Sequence, residues 1–275
     1  MRSKHITFIG AGNMARAIIG GLLADGYEAS RIGACDIDTG KLQALAQQFG
    51  IPIGTDNSAA VARSDIVVLA VKPQVLREVA LGIAAACQAR KPLVISVAAG
   101  IPIGALERWL GAELAIVRTM PNVAALIGAG AAALCANGRV TTTQREQAEA
   151  ILRATGLTLW VATEQLLDAV TALSGSGPAY VFRMMEALEA AAVAQGLGAD
   201  QARLLTLQTV FGAAKLALES NLDPGALRRQ VTSPGGTTER ALAIFDAGDF
   251  AGLVRQAVDA ARRRAAELAA EFGAD

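Results

Sequence analysis

The first half of the chain alternates between two hydrophobic periods. "HITFIG", "RIGACD", "DIVVLAVKP", "PLVISVAAG" and "LAIVRTMPN" are short, almost continuously apolar runs. Between them lie "NMARAIIGGLLADG", "TGKLQALAQQFG", "PQVLREVALGIAAAC" and "IPIGALERWLG". Their apolar residues recur at helical spacing, with Met14, Ile18 and Leu22 on one face of the first. Strands apolar on both sides and separated by helices predict a parallel sheet covered on both faces, an α/β doubly wound fold. "AALIGAGAAALCA" is apolar but too short for a membrane span, and predicts a buried strand with its loop.

After "LTLWVATEQ" the strand signal stops. "GPAYVFRMMEALEAAAVAQG" reads as a helix with Pro178 in its first turn and Gly196 as its stop. "DQARLLTLQTVFGAAKLALESN" is a long apolar helix, and "DPGALRRQV" a short one capped by Asp223. "TTERALAIFDAG" and "DFAGLVRQAVDAARRRAAELAAEF" complete the set. The pattern predicts an α/β domain over residues 1–160 and an all-helical domain over 161–275. The long helices are apolar on more than one face, which predicts a homodimer interface there.

Charge narrows the partners. The chain has 25 basic and 25 acidic residues among 275, with no basic excess of the kind nucleic-acid binders show. Arg262, Arg263 and Arg264 share their helix with Glu267 and Glu271 and read as a solvated face. Three scattered cysteines, Cys35, Cys87 and Cys135, form no CxxC pair and fit a reduced cytoplasmic compartment. No segment reads as a signal peptide or membrane span.

Candidate chemistry concentrates at two places. "ITFIGAGNMARAI" sets Gly10, Gly12 and Ala15 in the G-x-G-x-x-G/A spacing between a strand and a helix. Gly10 would permit the tight turn, Gly12 the approach of a pyrophosphate, and Ala15 close helix–sheet packing. Asp36 ends the second strand, where a carboxylate accepts from a ribose 2′-OH and repels a 2′-phosphate, so it favours NAD over NADP unless it points to solvent. "AVKP", with Ala70, Val71, Lys72 and Pro73, and "VAAG", with Ala98, Ala99 and Gly100, end two further strands. Strand tips are where an open parallel sheet holds its ligand, so both are expected to line the nicotinamide half. Lys72 also fits an ordinary exposed strand-end lysine.

The second place is "TSPGGTTERALAIF", Thr232 to Phe245. A glycine-rich turn opening a helix leaves N–H groups for a small anion, a carboxylate or a phosphate, and threonine adds a hydroxyl. A glycine-rich cap with two ordinary threonines is the plainer alternative. His5 is the single histidine and precedes the first strand, away from the cofactor end. That argues against a histidine acid, a Ser-His triad and a histidine metal site. "LSGSGPAY" does not match G-x-S-x-G, because Ser174 stands where glycine is required. Hydride transfer without histidine suits an imine, which is protonated far more readily than a carbonyl.

"FIGAGNMARAI", "LAVKPQVL", "RTMPN", "DAVTALSGSGPAYVF" and "VTSPGGTTERAL" together resemble pyrroline-5-carboxylate reductase over essentially the whole chain. The resemblance implies a Rossmann domain with a helical dimerisation domain, and dimers that assemble further into decamers. It implies reduction of 1-pyrroline-5-carboxylate to L-proline by NADPH or NADH. By the same resemblance Ile9, Gly10, Ala11, Gly12, Asn13 and Met14 would bind the pyrophosphate, and Asn57 would lie near the adenosine. Ala70, Lys72, Pro73, Ala98, Gly100 and Asn122 would approach the nicotinamide. Gly236, Thr237 and Thr238 would meet the substrate carboxylate, with the Thr238 hydroxyl on the ring nitrogen. Glu164 would lie near the substrate, and Ser176 and Gly177 would form part of the pocket wall.

Val123-Ala124 and Gln230 depart from the family pattern, as does Asp36, which leaves NADH against NADPH open. Two other readings remain: a β-hydroxyacid-type dehydrogenase using Lys215, and an NAD(H)-binding redox sensor without turnover.

Overall fold

A strand that is apolar on both sides needs cover on both faces, and the first part of the chain is built that way. The computed structural model describes residues 3–274. In chain order it forms β1 (Ile6–Ile9), α1 (Asn13–Ala24), β2 (Ile32–Cys35), α2 (Thr39–Phe49), β3 (Ile53–Gly54), α3 (Asn57–Val61), β4 (Ile66–Leu69) and α4 (Pro73–Arg90). Then follow β5 (Leu93–Ser96), α5 (Ile103–Leu110), β6 (Ile116–Met120), β7 (Gly130–Ala136), α6 (Thr142–Arg153), β8 (Gly156–Trp160) and α7 (Leu166–Val170). The sheet order is β3-β2-β1-β4-β5-β6-β7-β8.

Two apolar cores flank this sheet. Phe8, Ile32, Val68 and Val117 pack with Ile18 and Leu22 of α1, Leu42 of α2 and Ile151 of α6. On the other face Ile9, Val67, Val94 and Ile116 pack with Val61 of α3, Leu76 of α4, Leu106 of α5 and Leu167 of α7. Alternate residues of each strand serve opposite cores, which is why the strands read as unbroken apolar runs.

Every strand pairing is parallel except one. β7 runs antiparallel to β6, with Arg118 opposite Cys135 and Met120 opposite Ala133. The sheet is parallel-dominated, as expected, with this one reversal. Parallel neighbours need a crossover of a dozen or more residues. Residues 121–129, with a 3₁₀ turn at Val123–Ile127, are too few for one. The longer link through α6 returns β8 parallel to β7. α6 is polar in its first turns and buries only Ala148, Ile151 and Leu152 near its end; its start is marked by a capping box. Gln144 N–H donates to Thr141 Oγ1 (3.2 Å), and Thr141 N–H to Gln144 Oε1 (3.0 Å).

The remaining helices are α8 (Gly177–Ala194), α9 (Ala199–Glu219), α10 (Pro224–Gln230), α11 (Thr237–Ala247) and α12 (Phe250–Gly273). Asp223 caps α10 through Ala226 N–H (2.9 Å). The chain forms two compact units: one runs to Ser176 and includes the chain from Ala260 onward, the other is Gly177–Asp259. The expected boundary at residue 160 therefore falls inside the α/β unit, as does the end of α12. Leu167 of α7 lies in the α/β core and Phe272 of α12 packs on it. Arg108 donates to the carbonyl of Gly273.

In the helical unit Phe182, Met184, Leu204, Phe211, Leu218 and Ile244 are exposed. Such side chains mark a surface made to be covered. Among the described residues no helix is long and apolar enough to cross a membrane.

Candidate active site

The glycine turn between β1 and α1 lies at the carboxyl ends of the strands. Gly10 adopts φ +106°, a conformation that L side chains avoid. Its N–H donates to Cys35 O (2.7 Å), and Ile9 O accepts from Ala70 N–H (2.7 Å). The turn is thus pinned between the tips of β2 and β4. A Cβ on Gly10 would stand 2.7 Å from the Ala70 carbonyl, whereas one on Gly12 would meet nothing within 4 Å. Gly12 caps α1 without a side chain, so the first-turn N–H groups face an open cradle. Ala15, last in the motif, is fully buried. His5 begins the opposite end of β1, its backbone N–H on Asp65 Oδ2 (2.9 Å).

Asp36 is locked in place. Its Oδ2 accepts from Ala11 N–H (2.7 Å) and its Oδ1 from Asp38 N–H (2.9 Å). The carboxylate therefore clamps the glycine turn as well as charging the site. Lys41, the first cation after Asp36 in sequence, is drawn to Asp38 (3.0 Å), whose Oδ1 also caps α2. That partnership raises the Lys41 ammonium pKa and lowers that of the Asp38 carboxyl.

A cleft of about 870 Å³ opens along these tips. Ile9, Gly10, Gly12, Asp36, Asn57, Ala70, Val71 and Lys72 line it. Asn57 Oδ1 is buried without a hydrogen-bond donor, an acceptor awaiting a partner. The bare helix start, the empty space at Gly12 and this orphaned oxygen fit a dinucleotide. Ala11 is buried and its N–H is committed to Asp36. Asn13, Met14 and Pro73 adjoin the cleft without lining it. Ile37, 92% exposed, and Val75 also line the cleft and offer an apolar rim, which sequence reasoning missed. The signal was present: an isoleucine between two aspartates just past a strand has no core to enter.

The expected nicotinamide-side residues behave differently. Ala98 is buried, Ala99 is exposed, and Gly100 at φ +75° is backed by Leu268 and Phe272 of α12. Asn122 holds other backbone: its Nδ2 donates to Ser174 O (3.0 Å), and its Oδ1 accepts from Ala131 N–H (3.3 Å). None of these four lines the cleft.

Glu164 is likewise engaged internally. Its Oε1 accepts from Arg118 (2.8 Å) and from Ile103 N–H at the start of α5 (2.7 Å). Arg118 is 5% exposed, and Asp168 lies 4.0 Å from its other terminal nitrogen. Burial raises the Asp168 pKa against the pull of Arg118, and the Glu164 charge adds to the rise. A π-helical turn, Thr171–Gly175, follows α7, and Ser176 N–H closes it onto Thr171 O (2.8 Å). Such turns recur at functional sites.

The helical unit carries the other candidate group. Gly235 stands at φ +70° in the turn before α11. Gly236 N–H donates to Ser233 O (3.0 Å), which removes it from the donors expected for an anion. Gly235 N–H donates to Glu239 Oε2 (2.8 Å). The N–H groups of Thr237 and Thr238 remain, with the Thr238 hydroxyl on the next turn position. Gly177 begins α8, with open space at its Cβ position.

The strand–turn–helix cradle, its clamping aspartate and the cleft at the strand tips define a Rossmann-class dinucleotide-binding protein with an added helical unit. The first part of the chain, residues 5–100, matches the family model for NADP oxidoreductase, coenzyme F420-dependent, and residues 164–268 match that for pyrroline-5-carboxylate reductase dimerisation. The chain belongs to the pyrroline-5-carboxylate reductase family. The Pseudomonas aeruginosa pyrroline-5-carboxylate reductase is 48% identical over 273 residues, 99% of this chain and 100% of its own. That of Methanosarcina acetivorans is 39% identical over 98% of this chain and 99% of its own. The Coxiella burnetii reductase structure superposes with TM-score 0.93 at 45% identity, covering 96% of this chain and 98% of that one. The Plasmodium falciparum structure, which has NADP bound, gives 0.86 at 28% identity over 98% and 99%.

Proposed function

We propose that this chain reduces the C=N bond of 1-pyrroline-5-carboxylate to give L-proline, as a homodimer formed through its helical unit and assembling further into a decamer. The full-length similarity to reductases of that name carries the reading. The exposed apolar helices, within a region matched to a dimerisation family, support the dimer. Cys35, Cys87 and Cys135 are unpaired and buried, with burial pushing the Cys87 thiol up to about 11, which suits a reducing cytoplasm.

A nicotinamide dinucleotide, when bound, would supply the hydride for the imine carbon. The α1 N-terminus and Gly12 would receive its pyrophosphate and Asp36 its adenosine ribose, with Asn57 near the adenosine. Ala70, Val71 and Lys72 flank its other half. In the helical unit the N–H groups of Thr237 and Thr238 take the substrate carboxylate, and the Thr238 hydroxyl bonds the ring nitrogen. With the ring nitrogen already protonated from solvent, the imine carbon would need only the hydride for C=N to become CH–NH. A protonated imine needs no strong acid at this step. Gly236 shapes the turn, and Ser176 and Gly177 form part of the wall. Asn122 and Glu164 act on backbone: Asn122 holds the π-helical turn, and Glu164 with Arg118 holds the start of α5. Ala98, Ala99 and Gly100 shape the β5 tip.

Asp36 favours NADH, because its charge opposes a 2′-phosphate. Asp36→Ser is expected to raise the NADPH-to-NADH ratio of kcat/KM by roughly tenfold, the scale of one exposed carboxylate against a phosphate dianion. Loss of the bond to Ala11 N–H weakens binding of both cofactors, so the ratio is the readout. An unmoved ratio removes Asp36 as discriminator. Lys215 is exposed and lies 3.7 Å from Glu219. Lys215→Met is expected to stay within about twofold of wild-type activity, as for most exposed substitutions. Its inactivation would revive the hydroxyacid reading. Absorbance loss of NADH and then NADPH with racemic 1-pyrroline-5-carboxylate tests the function itself. Folded, cofactor-binding protein that oxidises neither is not this reductase.

A further inference from the structure

We propose that Glu239 sets the anion specificity of the turn that opens α11, admitting a monocarboxylate and discriminating against phosphate. The inference rests on the reading that this turn receives the substrate carboxylate. Glycine-rich turns that open helices bind anions generically, and phosphate is a usual guest. Bare N–H groups alone give no reason to prefer one negative charge over two.

Glu239 supplies that reason. It holds the third helical position of α11, from which a glutamate ordinarily reaches back to the N-cap N–H. Here the N-cap is Gly236, whose N–H already closes the turn onto Ser233 O (3.0 Å). The carboxylate reaches one residue further, to Gly235 N–H at 2.8 Å. The turn is therefore held at two N–H groups. Those of Thr237, Thr238 and Glu239 have no acceptor among the described residues.

The same contact fixes a full negative charge at the edge of an anion-binding turn. Glu239 forms no ion pair among the described residues. Arg228, Arg229 and Asp246 line a small hollow with it, so two cations and two anions share the hollow and its lining carries no net charge. An incoming monocarboxylate meets one unit of repulsion and a phosphate dianion two. Across an exposed turn each unit is worth roughly threefold in affinity.

The test compares wild type, Glu239→Gln and Glu239→Ala in the full chain at saturating NADH and pH 8. Inorganic phosphate and acetate serve as competitors against the pyrroline substrate. Glutamine keeps an acceptor for Gly235 N–H and removes the charge; alanine removes both. Glu239→Gln is expected to lower substrate KM and the acetate inhibition constant by roughly threefold, and the phosphate constant by roughly tenfold. Glu239→Ala, with the turn released, should show a higher KM than Glu239→Gln. Equal strengthening of acetate and phosphate, or none, overturns the inference. The substrate-site reading survives that result if Thr238→Ala still cuts turnover. If Thr238→Ala and both Glu239 variants leave substrate kinetics untouched, the turn is not the substrate site and both readings fall.

Discussion

Gly10→Ala is expected to abolish dinucleotide binding and to destabilise the α/β unit by about 3 kcal/mol. Two costs combine. Gly10 holds φ +106°, where an L side chain is strained. Its new methyl would also stand 2.7 Å from the Ala70 carbonyl carbon and oxygen and 2.8 Å from Val71 N. Those are backbone atoms at the exit of β4, so no rotamer relieves the clash. The turn must move away from β4, and the Ile9–Ala70 and Gly10–Cys35 hydrogen bonds strain with it.

Gly12→Ala makes the contrast. Gly12 has φ −78° and ψ −176°, which alanine adopts freely, and its Cβ would meet nothing within 4 Å. Its fold stability should stay within about 0.5 kcal/mol of wild type. The methyl would instead project from a residue that lines the cleft, where a pyrophosphate is expected. NADH affinity should fall by at least about tenfold. Thermal melting and NADH fluorescence titration separate the variants. A Gly12→Ala protein that binds NADH as well as wild type would place the dinucleotide elsewhere, whatever Gly10→Ala does.

These two glycines also show what a sequence discloses. Their spacing after "ITFI" was legible because a tight turn and a close backbone approach each require glycine, and both requirements are local. The doubly covered sheet was legible for a related reason: Val67 and Val68 are both apolar because they serve different cores. The reversal at β7 was less visible. An apolar strand carries no mark of direction, and only the short link from Met120 to Gly130 discloses it. The return of α12 was hidden for another reason. Leu268 and Phe272 look like any amphipathic helix until they pack against Gly100 and the α/β core.

Side-chain roles were least legible where a polar group serves backbone. Asn122 stands in a motif shared with the family, and the resemblance also sets Glu164 near the substrate, yet their bonds go to Ser174, Ala131, Ile103 and Arg118. A motif reports that a residue type is needed, and only geometry shows which backbone its side chain holds. Asp36 holds the glycine turn through Ala11 N–H, and the proposed cofactor role of its charge comes on top of that bond.

Thr238 is the residue for which the two roles separate by experiment. Thr238→Ala is expected to reduce kcat by about a hundredfold, the scale of one hydrogen-bonding group acting on a developing charge or proton. The hydroxyl belongs to the second residue of α11 and the helix start is capped by Gly236, so its loss removes no cap. Stability should therefore change by less than about 0.5 kcal/mol. NADH affinity should hold, since the cleft that fits the dinucleotide is lined entirely by residues of the α/β unit. Thr238→Ser restores the oxygen without the methyl and should recover most of the lost turnover. A merely structural threonine would show the reverse signature, with both variants altering melting and neither selectively lowering kcat. Undiminished kcat in folded Thr238→Ala would remove the hydroxyl from the reaction. The protonated imine would then need only the N–H groups of Thr237 and Thr238 to hold it for hydride.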